Sequence, residues 1–93
     1  MTATRQLAAI MFTDIVGYTA LMGEDEASAY QLLKKNRLVQ KPIIERHHGK
    51  WLKEMGDGVL ASFQTISDAV YCAIEIQLKC KSEPDLKLRI GIN

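Results

Sequence analysis

Lys50-Trp51-Leu52-Lys53-Glu54-Met55-Gly56-Asp57-Gly58-Val59-Leu60-Ala61-Ser62-Phe63 is the stretch that decides the fold. Trp51, Lys53 and Met55 alternate with Leu52 and Glu54, and alternation resumes from Val59 to Phe63, so both halves carry the two-residue period of a strand. Gly56-Asp57-Gly58 between them contains Asp-Gly, the strongest short turn signal, and the whole predicts a β-hairpin.

Upstream, Leu7 to Ile15 is a near-continuous apolar run with β-formers at its end, the pattern of a strand inside a sheet. From about Glu26 to His48, apolar residues recur at Ala29, Leu32 or Leu33, Val39 and Ile43, which predicts a helix stopped by Gly49. Pro42 removes one helical hydrogen bond and crowds the carbonyl of Leu38, so a kink or a break is expected there, with two shorter helices as the alternative. His47 and His48 are adjacent and cannot converge on a metal as an i, i+4 pair could; they suit the last turn, where they complement the helix dipole.

Downstream, Thr65, Ser67 and Asp68 offer helix-start residues before Ala69 to Lys81, where Ala69, Val70, Ala73, Ile74, Ile76 and Cys80 predict a broad apolar face. Pro84 closes the next loop and Lys87 to Ile92 predicts the last strand. Right-handed crossovers around a single hairpin then give an α+β, ferredoxin-like βαββαβ plait, four strands with the helices on one face. Its first strand and hairpin are central neighbours, so Asp14 and Asp57 should meet at one end of the sheet. No repeat, linker or low-complexity tract interrupts this single domain.

The 93 residues carry a formal charge of +1 from 12 basic and 11 acidic side chains, with the basic ones spread along the two helical segments, so nucleic acid finds no basic stripe. With 47% hydrophobic and 25% charged residues the composition is that of a folded domain. The longest strictly apolar stretch, Leu7 to Phe12, is far short of the roughly 20 residues of a membrane span, and Met1 to Gln6 has no signal-peptide pattern, so no membrane contact is expected from this segment. Cys72 and Cys80 lie about 12 Å apart on a helix, beyond disulfide reach, and suit core thiols in a reducing, cytoplasmic compartment.

Two carboxylates converging at one sheet edge repel unless a cation lies between them, and their hard oxygens suit Mg²⁺ or Mn²⁺. Val16-Gly17-Tyr18-Thr19 follows where the chain turns from strand towards helix, so Gly17 permits close approach and successive backbone N–H groups can cradle a phosphate. Taken singly, Asp57 before Gly58 is an ordinary turn residue and Asp14 can cap a helix. Their joint placement, with Lys53 in a strand that disfavours lysine, is what points to a metal-triphosphate site.

Phe12-Thr13-Asp14-Ile15-Val16-Gly17-Tyr18-Thr19, Lys53-Glu54-Met55-Gly56-Asp57-Gly58 and Arg89-Ile90-Gly91-Ile92 together resemble the catalytic domain of class III adenylate and guanylate cyclases, adenylate type. The resemblance covers residues 1–93 and corresponds to the N-terminal half of that domain, cut after the fourth strand. It implies two divalent ions, Mg²⁺ or Mn²⁺, held by Asp14, Asp57 and the backbone carbonyl of Ile15, with Gly17, Tyr18 and Thr19 near the substrate. It implies that Lys53 reads the adenine of ATP, since guanylate cyclases typically carry glutamate there.

The resemblance further implies a head-to-tail homodimer with composite sites, in which Asp14 and Asp57 serve one site and Lys53 the other. The product would be 3′,5′-cyclic AMP with release of pyrophosphate, in signal transduction. The family's aspartate partner of the lysine, its asparagine and its arginine lie beyond the matching strand, and Asn93 stands where histidine is common. No complete catalytic set is therefore expected here, and the 93-residue piece alone is expected to turn over negligibly. A catalytically silent dimerisation or regulatory module is the alternative; an RNA-binding plait lacks its aromatic signature and basic sheet face.

Overall fold

A computed structural model of the protein describes residues 8–93. Leu7, which opens the expected first strand, and the Met1 to Gln6 start lie outside the described residues. The chain runs β1 (Ala9–Ile15), α1 (Tyr18–Glu24), α2 (Glu26–Arg46), β2 (Lys50–Met55), β3 (Gly58–Phe63), α3 (Ile66–Cys80) and β4 (Leu88–Ile92). The strands form one antiparallel sheet in the order β2-β3-β1-β4. This is the expected plait, with β1 and β3 as its central pair.

The two-residue side-chain period of β1 sends Ala9, Met11, Thr13 and Ile15 to the helix-covered face, where Val59, Ala61 and Phe63 of β3 join them. Ile43 and Ile44 of α2, with Ala69, Cys72 and Ile76 of α3, close the layer. Fully burying a side chain of the size of Met11, Ile44 or Phe63 contributes about 1.5–3 kcal/mol. Cys72 and Cys80 are free, buried thiols as expected, and loss of water pushes the Cys72 thiol up to about 11.

Sequence periodicity missed the polar part of this core. Gln40 Nε2 donates to Thr13 Oγ1 at 3.0 Å and to Asn36 Oδ1 at 2.7 Å, so two buried amides of α2 lock onto β1 beside Asp14. Asn36 Nδ2 and Gln40 Oε1 find no partner among the described residues. Each such orphan costs about 1–3 kcal/mol, which the surrounding apolar burial has to offset.

The helical segments differ from expectation in three ways. Residues 18–24 form a separate short helix, and Asp25 starts α2 by accepting the Ser28 N–H at 3.1 Å. That cap holds the Asp25 carboxyl below the usual carboxylate range, through the Ser28 hydroxyl first and the Ser28 amide second. Next, α2 passes through Pro42 as one unbroken element. The ring's cost falls on the carbonyl of Leu38, whose own side chain is 76% exposed, so water can reach that side of the helix.

Lastly, α2 ends at Arg46 and the left-handed position belongs to His48, φ 64°, instead of Gly49. His48 N–H donates to the Glu45 carbonyl and Gly49 N–H to that of Ile44, the Schellman pattern. Gly49 is glycine for space: a Cβ there would lie 2.5 Å from Phe63 Cε2 and 2.8 Å from Ile44 Cγ2. His47 Nε2 lies 2.7 Å from Glu75 Oε1, and Arg46 pairs with the same carboxylate, tying α2 to α3.

The hairpin also departs from simple alternation. Trp51 pairs with Ala61 and Lys53 with Leu60, so Leu52 is an extra residue and the strand bulges. Trp51 therefore faces the helices under the Lys41 ammonium, 5.6 Å from the ring centre, while Lys53 lies on the open face with Leu60. The turn itself is Gly56-Asp57, not Asp-Gly: Gly56 takes φ 57° at the first central position, and Met55 pairs with Gly58.

The broad apolar face expected of α3 splits in two. Ala69, Cys72, Ile76 and Cys80 are buried, whereas Ile66, Val70, Ile74 and Leu78, four apart, form an exposed stripe alongside Ile90 and Ile92 of the edge strand β4.

Candidate functional site

Antiparallel pairing brings the C-terminal end of β1 and the start of β3 to one end of the sheet, with the start of β4 on the other side of β1. Thr13 pairs with Val59, so Asp14, one step further, lies beside the hairpin turn. The Asp57 carboxylate Oδ2 accepts the Ile15 N–H at 2.9 Å, fixing the turn to the residue that follows Asp14. On the opposite flank Asp14 pairs in register with Arg89, whose Nε donates to Asp14 Oδ1 at 2.8 Å.

Arg89 holds its proton more tightly than an isolated arginine. The causes are the hydrogen bond to Asp14 first, the Asp14 charge second and, beyond a small opposing loss of water, the charge of Asp57. Asp14 therefore carries the guanidinium, while the Asp57 carboxylate is turned to the Ile15 N–H. Arg89 was quoted in the sequence comparison but not placed in the site, because strand register, which alone sets it opposite Asp14, cannot be read from composition.

Ile15 buries its side chain at 2% exposure, so only its backbone can serve the strand end. Gly17 takes φ 81° and starts α1, and a Cβ there would meet nothing within 4 Å; the glycine is required by backbone conformation, not by close approach within the chain. Tyr18 is partly buried, and its hydroxyl is pushed up by loss of water first, then by Tyr30, Asp57 and Glu26. Thr19 is exposed.

Lys53 stands apart from this group. It lies on β2, separated from β1 by β3, exposed on the open face and making no salt bridge among the described residues. One row across that face reads Lys53, Leu60, Phe12, Gly91, and the Phe12 ring lies so flat on Gly91 that a Cβ there would be 2.5 Å from its Cζ.

Among the described residues no three His, Cys, Asp or Glu side chains gather as a metal cluster. Two carboxylates at one strand end, one of them already paired with a cation, still fit Mg²⁺, which takes one or two carboxylates and completes its shell with water and phosphate oxygens. No helix among the described residues is long and apolar enough to cross a membrane.

Residues 2–93 match the adenylate and guanylate cyclase catalytic domain. The chain belongs to this family. A Rhizobium meliloti (strain 1021) protein named as a candidate adenylate cyclase, number 3, is 39% identical over 97 residues, covering 96% of this chain and 16% of that protein. The solved adenylate/guanylate cyclase/hydrolase of Silicibacter pomeroyi is 37% identical with a TM-score of 0.83, covering 99% of this chain and 58% of that one. The adenylyl cyclase CyaB of P. aeruginosa, 23% identical, shares the fold at a TM-score of 0.85, covering 100% of this chain and 58% of its own. The cyclase chain described here thus spans little more than half of these solved domains.

Proposed function

We propose that the chain is the metal-binding and base-reading N-terminal part of an adenylate cyclase domain, one that converts ATP to 3′,5′-cyclic AMP and pyrophosphate in the cytoplasm. The observation that carries this reading is the presence of two carboxylates at one strand end, Asp14 on β1 and Asp57 on the turn anchored to the Ile15 N–H next to it, with Arg89 on Asp14. Asp14, Asp57 and the Ile15 carbonyl are the groups that would hold two divalent ions, Mg²⁺ or Mn²⁺, whose chemistry is to acidify the ribose 3′-hydroxyl and neutralise the triphosphate.

The protein's own contribution is positional. Asp57 keeps the hairpin turn docked on β1, so its carboxylate stays at the end of that strand. Gly17 turns the chain so that the backbone of residues 17–19 lies beside them. Lys53, exposed on the open face and without a salt bridge among the described residues, would read the adenine of a second subunit's nucleotide in a head-to-tail homodimer. The groups that orient the ribose and stabilise the transition state belong to the part of the domain this chain does not span, so the 93-residue chain binds metal and ATP weakly and turns over negligibly.

Titration of the chain with Mn²⁺, followed by calorimetry, tests the reading. Asp57→Asn is expected to weaken Mn²⁺ binding at least about tenfold, or about 1.4 kcal/mol, while the fold persists, because the asparagine carbonyl still accepts the Ile15 N–H. Equal affinity in the variant, or no Mn²⁺ binding by the parent chain, would leave the silent dimerisation module as the better account.

A further inference from the structure

Two carboxylates held at one strand end repel each other, and a charged group of the chain's own, Arg89, lies against one of them. Arg89 is the direct cross-strand partner of Asp14, and its contact is a single hydrogen bond, Nε to Oδ1, instead of the two-point fork of which guanidinium is capable. The side chains are 72% and 45% exposed, so water competes for both and the pair is weak. Asp57 points at the Ile15 N–H from the other side. A cation is therefore present, held loosely enough to leave.

We propose that Arg89 is the resident counter-ion of the site and that a divalent cation enters by exchange, displacing the guanidinium from Asp14. The inference rests on the metal-site reading of Asp14 and Asp57. The exchange makes and breaks no covalent bond: one cation leaves a carboxylate, another takes its place, and Arg89 remains protonated throughout. Its consequence is that metal affinity is set by a competition within the chain as well as by the ligands.

The test needs no turnover. In the ¹⁵N-labelled 93-residue chain, the Arg89 Nε–H resonance should move and exchange faster with water as Mg²⁺ is added, saturating together with backbone shifts of residues 14, 15 and 57. Arg89→Gln should bind Mn²⁺ about two- to fivefold tighter than the parent, the range expected for release of an exposed ion pair. Circular dichroism confirms that the variant is folded, and the resonance experiment on the parent chain stands without any variant. An Arg89 signal that stays put at saturating Mg²⁺, or an Arg89→Gln affinity equal to or weaker than the parent's, overturns the exchange while leaving the metal site intact if Asp57→Asn still weakens binding. Absence of Mn²⁺ binding in both chains overturns the metal reading and the exchange with it.

Discussion

On the covered face of the sheet, Met11, Ala61 and Phe63 are sealed under α2 and α3, whereas on the open face the same central strands present Phe12, Leu60 and the Asp14–Arg89 pair within reach of water. The buried part of the covered face is apolar except for the Thr13–Gln40–Asn36 triad, and its glycine, Gly49, is there because no side chain fits. The open face carries its charges singly or in loose pairs. Burial resides on the first face and exposed charge on the second, although residues of the two alternate one by one along β1.

That division can be broken by experiment. The largest effect is expected from Phe63→Ala, which empties the covered layer and should cost about 3–5 kcal/mol in denaturant unfolding. Gly49→Ala should cost about 1–3 kcal/mol, because the Phe63 ring and Ile44 must both give way. Either variant, under conditions where it is folded, should bind Mn²⁺ as the parent does. A covered-face substitution that abolished metal binding in the folded chain would break the comparison, just as an Asp57→Asn that unfolded it would.

The smallest effect sharpens it through pH. Burial raises the Cys72 thiol from its ordinary value of 9.0 to about 11, so in this interval the folded chain holds a proton that the unfolded chain has lost. The stabilising contribution of the neutral thiol is complete below pH 9 and is lost as pH rises towards 11. Cys72→Ala should flatten that alkaline decline, measured as the denaturation midpoint at pH 8 and pH 10.5, while leaving the open face untouched.

The order of the four strands and the arrival of the Asp57 turn at the end of β1 were legible in the sequence, because hydrophobic period and a single hairpin permit few topologies. What escaped was set by interactions between elements. The helix α1 is too short for periodicity to show. His48 accepts a left-handed backbone because Gly49 is needed against Phe63, which no local signal reveals. Val70 and Ile74 fit an apolar face by residue type, yet stand on the side of α3 that the other described residues do not cover. Arg89 joined the site through cross-strand register, a property of two segments and not of either alone.

The bulge at Leu52 carries one more implication, for how this hairpin tolerates changes of length. Counting Lys53 directly after Trp51 restores strict alternation, with Trp51 and Glu54 on the helix side and Lys53 and Met55 on the other. Leu52 is thus the supernumerary residue of β2, and an in-frame deletion of its codon would preserve the parity of every side chain around it. Removing Glu54 instead would shift the count by one from the turn and send Lys53 to the helix side, and Trp51 to water with it if the bulge is kept. Of two single-codon losses in the same strand, only one scrambles the message.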